Sequence, residues 1–69
     1  MTFGEVVAFY LEEQGMSQSE LARKIGTGRQ TVNSIIRGTR RGPRLDTALA
    51  IAAAFGVTLD EMIREMEEG

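Results

Sequence analysis

The 69-residue chain contains no cysteine, no histidine and no tryptophan, and it has a single proline. Without cysteine it can form neither disulfides nor thiolate metal sites, and without histidine it lacks the commonest metal ligand and general base. The carboxylates are not clustered either, so nothing remains to activate a nucleophile, and an enzyme is the least favoured class of function. We therefore expect no metal and no cofactor. A chain this short buries only about 60% of its unfolded surface, so it needs tight packing or a partner subunit.

Long apolar runs are also missing. The longest run, Ala48 to Phe55, consists mostly of alanine, and a membrane helix needs about 20 apolar residues. No basic residue precedes the N-terminal apolar stretch, which argues against a signal peptide. The sequence predicts a cytoplasmic protein that makes no membrane contact and forms a single domain over residues 1–69.

The formal net charge of -2 hides a strong segregation of charge. Residues 23–44 contain no acidic residue and carry seven of the eight basic ones, which are Arg23, Lys24, Arg29, Arg37, Arg40, Arg41 and Arg44. Most charge runs are simply solvated surface. A local basic patch, however, is what attracts a polyanion, whatever the charge of the whole chain. The segregation therefore keeps a nucleic-acid partner open despite the acidic balance.

Capping signals and apolar spacing predict five helices, roughly 3–14, 18–25, 29–37, 45–55 and 59–67. Three segments open with a capping box, namely Thr2 with Glu5, Ser17 with Glu20, and Thr58 with Glu61. Gly15, Gly26, Gly38 and Gly56 follow the apolar periods, where a left-handed residue ends a helix. No stretch alternates with a period of two, so we expect an all-α fold. The predicted inward side chains include Val6, Val7, Leu11, Leu21, Val32, Leu45, Leu49, Ala52, Ala53, Phe55, Met62 and Ile63.

The second and third predicted helices are separated only by Gly26-Thr27-Gly28. Two short helices joined in this way are typical of a helix-turn-helix, although an ordinary corner between two helices has the same sequence pattern. With Val32 and Ile35 facing inward, the outward residues of the third helix are Arg29, Gln30, Asn33, Ser34 and Arg37. Arginine can pair with guanine and the amides with adenine, and no acidic side chain opposes them. This face predicts a reader of bases in double-stranded DNA.

Residues 16–27 (Met-Ser-Gln-Ser-Glu-Leu-Ala-Arg-Lys-Ile-Gly-Thr), followed by Gln30, Val32, Ile35 and Gly38, resemble the Cro/C1-type helix-turn-helix (XRE) family. The likeness continues through Pro43-Arg44-Leu45, Leu49, Ile51-Ala52 and Ala54-Phe55-Gly56-Val57, so it spans about residues 3–66. The combined pattern is specific, whereas no single piece of it would suffice. The resemblance implies a compact five-helix, lambda-repressor-like domain in a repressor-like transcriptional regulator.

The resemblance also assigns roles to residues. Arg29, Gln30 and Ser34 match positions that read bases, and Asn33 joins them by its outward direction. The expected backbone contacts are Ser17, Gln18, Thr27, Arg37, Arg40, Arg41 and Arg44. Among these, Gln18 would hold a phosphate and brace the recognition helix, and Arg44 would approach the minor groove. The amino ends of the second and fourth helices would add amide contacts to phosphates.

Two departures from the family pattern affect packing. Gly28 replaces the usual serine or threonine cap of the third helix, at a cost of a few tenths of a kcal/mol. Leu11 and Ile36 stand where relatives often carry a buried Arg–Glu pair. We expect an apolar contact there, which avoids the desolvation penalty of an ion pair.

One module that reads about four base pairs is too unspecific for a genome, so the resemblance implies a homodimer on a pseudo-palindromic site. The expected interface is Val57, Leu59, Met62 and Met66. Alternatively, the fifth helix only covers the core. A second function also stays open: an antitoxin or protein-interaction module whose acidic first and fifth helices bind a basic protein. The sequence does not distinguish a phage repressor, a restriction–modification controller and an antitoxin.

Overall fold

The helices of the computed structural model begin and end at or close to the bounds that the sequence predicts. The structure describes residues 1–38 and 42–68. Its helices are α1 (Phe3–Gln14), α2 (Gln18–Ile25), α3 (Arg29–Arg37), α4 (Leu45–Phe55) and α5 (Leu59–Glu68). Four helices match the predicted bounds and α5 is one residue longer. Within the described residues there is no strand, which confirms the all-α class. None of these helices combines the length and apolarity needed to cross a membrane.

All three predicted capping boxes are formed. In α1, the Glu5 N–H donates to the Thr2 hydroxyl at 3.1 Å, and the Thr2 N–H donates to a Glu5 carboxylate oxygen at 2.7 Å. The same reciprocal bonds join Ser17 to Glu20 and Thr58 to Glu61. The backbone N–H of Thr2 lowers the pKa of Glu5 because it stabilises the charged carboxylate. The four glycines predicted to end helices all have positive φ.

The core lies where all five helices meet. Its wholly buried large side chains are Val6, Val7, Leu21, Val32, Ile51 and Met62. Tyr10 stacks on Phe55 with ring centroids 5.3 Å apart, which ties α1 to the end of α4. Leu11 belongs to this core and Ile36 packs against it. Both positions therefore belong to one apolar core, while the direct contact between Leu11 and Ile36 stays a prediction.

The predicted inner face of α4 is confirmed only in part, since Ala52 and Phe55 are buried as expected. Leu45 and Leu49 are 68% and 50% exposed and Ala53 is also exposed, whereas Ala48 and Ile51 fill the core beside Phe55. The helix is apolar on nearly every side, so its periodicity does not choose a face. Ile63 of α5, also expected inward, is 43% exposed. These side chains give the molecule an apolar surface that the sequence did not predict.

The first turn of α1 and the end of α3 approach each other at Gly4. A Cβ atom on Gly4 would lie 2.3 Å from the carbonyl oxygen of Ile35 and 2.5 Å from that of Ile36. Such distances are far inside van der Waals contact, so only glycine allows the two backbones to come this close. Gly4 thus helps to set the position of α3.

The only tyrosine is expected to titrate above its ordinary pKa of 10.0. Burial raises the pKa of Tyr10, and the nearby carboxylates of Glu65 and Glu61 raise it further. The neutral phenol is the form that the fold favours. Its stabilising contribution is therefore complete below pH 10 and is lost as the pH rises through the folded pKa. Phenolate absorbance reports this group alone, because the chain has one tyrosine and no tryptophan. A midpoint at or below 10 in the folded protein would contradict the prediction.

Candidate nucleic-acid interface

A short corner holds α2 and α3 together. Gly26 ends α2 with a φ of 75°, and the next N–H, from Thr27, donates to the Ala22 carbonyl at 2.9 Å. Gly28 caps α3 with extended backbone and contributes no side-chain bond. The buried side chains Leu21 and Val32 pack beneath the corner. The helix-turn-helix predicted from the sequence is present.

The outward face of α3 gathers the residues predicted to read bases. Arg29, Gln30 and Arg37 are exposed, Asn33 and Ser34 are half-buried, and no acidic side chain occurs on the helix. A shallow depression on this face is lined by Arg29, Gln30, Thr31, Asn33 and Ser34. All four predicted base contacts therefore lie together beside the depression, where hydrogen-bonding groups can meet base edges.

Gln18 and Asn33 connect the two helices directly. The Asn33 side-chain amide donates to the Gln18 side-chain carbonyl at 3.3 Å. This bond uses the oxygen of Gln18 and leaves its NH₂ group free to donate. The arrangement matches the bracing expected of Gln18. Asn33 has a role that the sequence did not predict, since one of its donors is engaged inside the molecule.

Arg44 stands at the start of α4, beside a groove that leads to α3. Its Nε lies 3.7 Å from a carboxylate oxygen of Asp46, with both side chains mostly exposed, so the pair adds little stability. Thr31, Ser34 and Thr47 line the same groove as Arg44. Sequence reasoning missed the hydroxyls of Thr31 and Thr47. For Thr47, a position in the first turn of α4 was the available signal.

The other residues predicted to contact the DNA backbone differ in how exposed they are and in whether their polar groups are already hydrogen-bonded. Arg37 is exposed in the last turn of α3, and Thr27 is half-buried in the corner. The Ser17 hydroxyl already accepts from Glu20, so its second lone pair and its proton are what it can offer. At the start of α4 the N-cap residue Arg44 makes no side-chain cap bond, and the Thr47 N–H already donates to the Asp46 carboxylate at 2.9 Å, so this N–H is not free for a phosphate. Arg40 and Arg41 lie outside the described residues.

Met62 is not available to a second copy of the chain. It is wholly buried within α5's contact with the core, so its prediction as an interface residue is wrong. Val57, Leu59 and Met66 are half-buried and pack against the same core. One face of α5 therefore covers the core, which is the alternative that the sequence left open for these side chains.

Replacing Asp46 by asparagine is expected to strengthen DNA binding about two- to fivefold at low salt, because Arg44 loses its competing partner and a negative charge leaves the interface. Fluorescence anisotropy with one duplex at two salt concentrations measures the change, which should shrink as salt rises. Asp60→Asn is the matched control. It removes an equivalent exposed carboxylate paired to Arg64 on α5. An equal gain in both variants would show that only net charge matters.

The corner between α2 and α3 and the basic outward face of α3 together form a helix-turn-helix, which is a DNA-binding motif. A family model described as helix-turn-helix matches residues 7–62. The chain therefore belongs to the Cro/C1-type helix-turn-helix family, and the expected resemblance is confirmed.

Individual relatives are similar over most of the chain. The HTH-type transcriptional regulator SinR of Bacillus licheniformis is 29% identical over 65 residues, which are 94% of this chain and 59% of SinR. This chain thus spans about three fifths of that relative. An uncharacterized HTH-type transcriptional regulator of Methanocaldococcus jannaschii is 35% identical over 54 residues, 78% of this chain and 80% of the relative.

Solved structures share the fold. The crystal structure of SinR, the master regulator for biofilm formation, in complex with DNA superposes with a TM-score of 0.82 at 27% identity, covering 90% of this chain and 98% of that one. The restriction–modification controller protein C.AhdI of Aeromonas hydrophila gives a TM-score of 0.81 at 30% identity, covering 87% and 89%.

Proposed function

We propose that this protein is a sequence-specific, repressor-like transcriptional regulator that places α3 in the major groove of double-stranded DNA. One observation carries the proposal: the outward face of α3 has hydrogen-bonding and basic side chains, has no acid, and is held at a tight corner. A helix presented in this way can enter the groove, while the first helix of the pair crosses the backbone. The proposal assigns the chain no catalytic step.

The described roles of the relatives support the proposal of a DNA-binding transcriptional regulator. SinR and the archaeal relative are described as transcriptional regulators, C.AhdI is a controller protein, and SinR has been crystallised with DNA. The SinR structure with DNA is covered almost entirely by this chain. The part of SinR that this chain matches is therefore the part that was crystallised with DNA.

The proposed DNA contacts fall into two groups, those to base edges and those to the DNA backbone. Arg29, Gln30 and Ser34 would contact base edges, with the free groups of Asn33 beside them. The residues that contact the DNA backbone would be Ser17, Gln18, Thr27, Arg37, Arg40, Arg41 and Arg44. Gln18 would donate its free NH₂ to a phosphate while its oxygen keeps α3 in place. Arg44 would follow the backbone from the start of α4 into a compressed minor groove.

We further propose that two copies act together on a pseudo-palindromic operator. One α3 reads about four base pairs, which is too few to select a genomic site. A twofold dimer would present two α3 helices one helical turn apart, about 34 Å. The half-buried Val57, Leu59 and Met66 would at most border the contact, and Met62 would take no part in it.

The decisive experiment selects bound sequences from a random duplex pool. A twofold symmetric consensus is expected, and it would establish the DNA partner and the stoichiometry together. Affinity for that consensus should fall with salt at a log–log slope of about -7, if a dimer neutralises on the order of eight phosphates. No enrichment, or a flat salt dependence, would refute the proposal. A stoichiometric basic protein that co-purifies without any such enrichment would instead favour the protein-interaction alternative.

A further inference from the structure

Phe9 is a large aromatic side chain that the core does not use. It is 41% exposed on the outward side of α1, whereas Phe3 is half-buried and Phe55 is buried. The rings of Phe9 and Tyr10 form a T-shaped pair with centroids 5.6 Å apart, and Tyr10 in turn stacks on Phe55. The exposed ring is therefore held against packed aromatic side chains, so a partner that covers it loses little conformational entropy in doing so.

Carboxylates surround this exposed ring. Glu12 and Glu13 follow Phe9 by three and four residues, so they lie on the same side of α1, and both are exposed. Burial raises the pKa of Tyr10, and the negative charge of Glu65 on α5 raises it further, which places this third carboxylate beside the aromatic pair. We name the residues Phe9, Tyr10, Glu12, Glu13 and Glu65 together the Phe9 surface.

Within residues 1–38 and 42–68, no ion pair neutralises the three carboxylates of the Phe9 surface. The ion pairs in those ranges lie at the start of α4 and along α5 and involve other residues, and α1 contains no lysine or arginine. The surface therefore keeps a negative potential. Carboxylates alone would be ordinary solvated surface. The exposed aromatic ring among them adds the apolar contact that the centre of a protein interface needs.

The charge of the Phe9 surface decides what can cover it. DNA is excluded because its phosphates are repelled, and two copies that met through this surface would set like charges opposite each other. An arginine or lysine side chain fits, because its cation can pair with a carboxylate and can also lie over the face of the Phe9 ring. An apolar side chain next to that cation would cover the rest of the ring.

We propose that the Phe9 surface binds a basic amphipathic segment of another protein, with the Phe9 ring as the apolar anchor and the carboxylates as partners for its cations. The inference goes beyond DNA binding, since no residue of this surface belongs to the candidate nucleic-acid interface. Both surfaces are thus free to be occupied together, and a DNA-bound chain would recruit the second protein. It differs from the protein-interaction alternative, in which a basic protein takes the place of DNA.

Selection from a random peptide library displayed on phage, with the intact protein as target, tests the proposal. Enriched peptides should combine several arginine or lysine residues with a large apolar residue. A synthetic peptide of that consensus is the probe for calorimetry. Phe9→Ser should raise its dissociation constant by about tenfold or more, because the buried ring and its cation contact are lost. Ile63→Ser is the matched control: Ile63 is 43% exposed on α5, and this variant should leave the constant unchanged.

A pair of charge variants separates a local contact from the effect of net charge. Glu13→Gln removes a carboxylate from the Phe9 surface. Glu67→Gln removes an exposed carboxylate two residues from Glu65, which the helical turn places on the other side of α5. Both variants change the net charge equally, so any general attraction falls equally. At low salt Glu13→Gln should weaken the probe peptide about two- to fivefold more than Glu67→Gln does.

The outcomes separate this inference from the proposed function, because the peptide assays contain no DNA. Absence of basic peptides from the selected pool overturns the inference, as does equal weakening by Phe9→Ser and Ile63→Ser or by the two charge variants. Circular dichroism checks that every variant folds, and Glu13→Gln keeps the test valid if Phe9→Ser does not. A peptide consensus that depends on Phe9, in a chain that selects no duplex, would uphold the surface and refute the proposed function.

Discussion

Replacing Gly4 by alanine is expected to lower the melting temperature by on the order of 10 °C. The added Cβ would lie 2.3 Å and 2.5 Å from the carbonyl oxygens of Ile35 and Ile36. These are backbone atoms, so they cannot rotate away, and α1 must shift away from α3. Overpacking of this kind typically costs about 1–3 kcal/mol, sometimes more. Alanine's better helix propensity returns at most about 1 kcal/mol, so we expect a net loss near 2 kcal/mol.

Gly42→Ala is the control for the Gly4 substitution. Among residues 1–38 and 42–68, no heavy atom lies within 4 Å of a Cβ built on Gly42, and its φ is not positive, so alanine should change stability by less than about 0.5 kcal/mol. Thermal unfolding followed by far-ultraviolet circular dichroism compares the two variants with the wild type. Equal melting temperatures for all three proteins would show that α1 and α3 yield at this contact without cost.

The contrast between helix ends and helix faces shows how far the sequence determines this fold. A capping box such as Thr2 with Glu5 is complete within four residues, so its sequence signature is sufficient to place the start of α1. The inner face of α4 is decided by what packs against it. Leu49 and Ile51 are equally apolar, and only the positions of the other helices bury Ile51 and expose Leu49. Local signals therefore predicted the helix bounds, while the choice of the buried side chains on the mostly apolar α4 required the tertiary structure.

The candidate site follows the same division. The direction of Arg29 and Gln30 follows from the helical period once Val32 is assigned to the core, so the sequence predicted them correctly as outward residues. The bond from Asn33 to Gln18 joins residues 15 apart on two helices, and no local pattern encodes it. Met62 was wrongly predicted as an interface residue, because a flexible apolar side chain on the last predicted helix suggested an interface. It is instead wholly buried in the core.

Arg29→Ala is expected to weaken binding to the selected operator by about 5–150-fold for each half-site contact, which corresponds to 1–3 kcal/mol. Arg29 is exposed in the first turn of α3 and makes no ion pair with any acid among residues 1–38 and 42–68. Its guanidinium is therefore free to form two hydrogen bonds with a guanine edge. Repeating the selection with the variant should show relaxed preference at one base pair in each half-site, with the rest of the consensus kept.

The control variant for Arg29→Ala is Arg37→Ala, which removes an equally charged, exposed side chain, proposed to contact the DNA backbone, from the last turn of α3. Each variant loses one cation, so at low salt both should lose similar affinity for non-specific duplex, and the salt dependence should weaken similarly. Only the loss of a base contact changes which sequence is preferred, because phosphates look alike in every sequence. An unchanged consensus for Arg29→Ala would therefore reduce Arg29 to a backbone contact, and it would move the reading of bases to Gln30 and Ser34 alone.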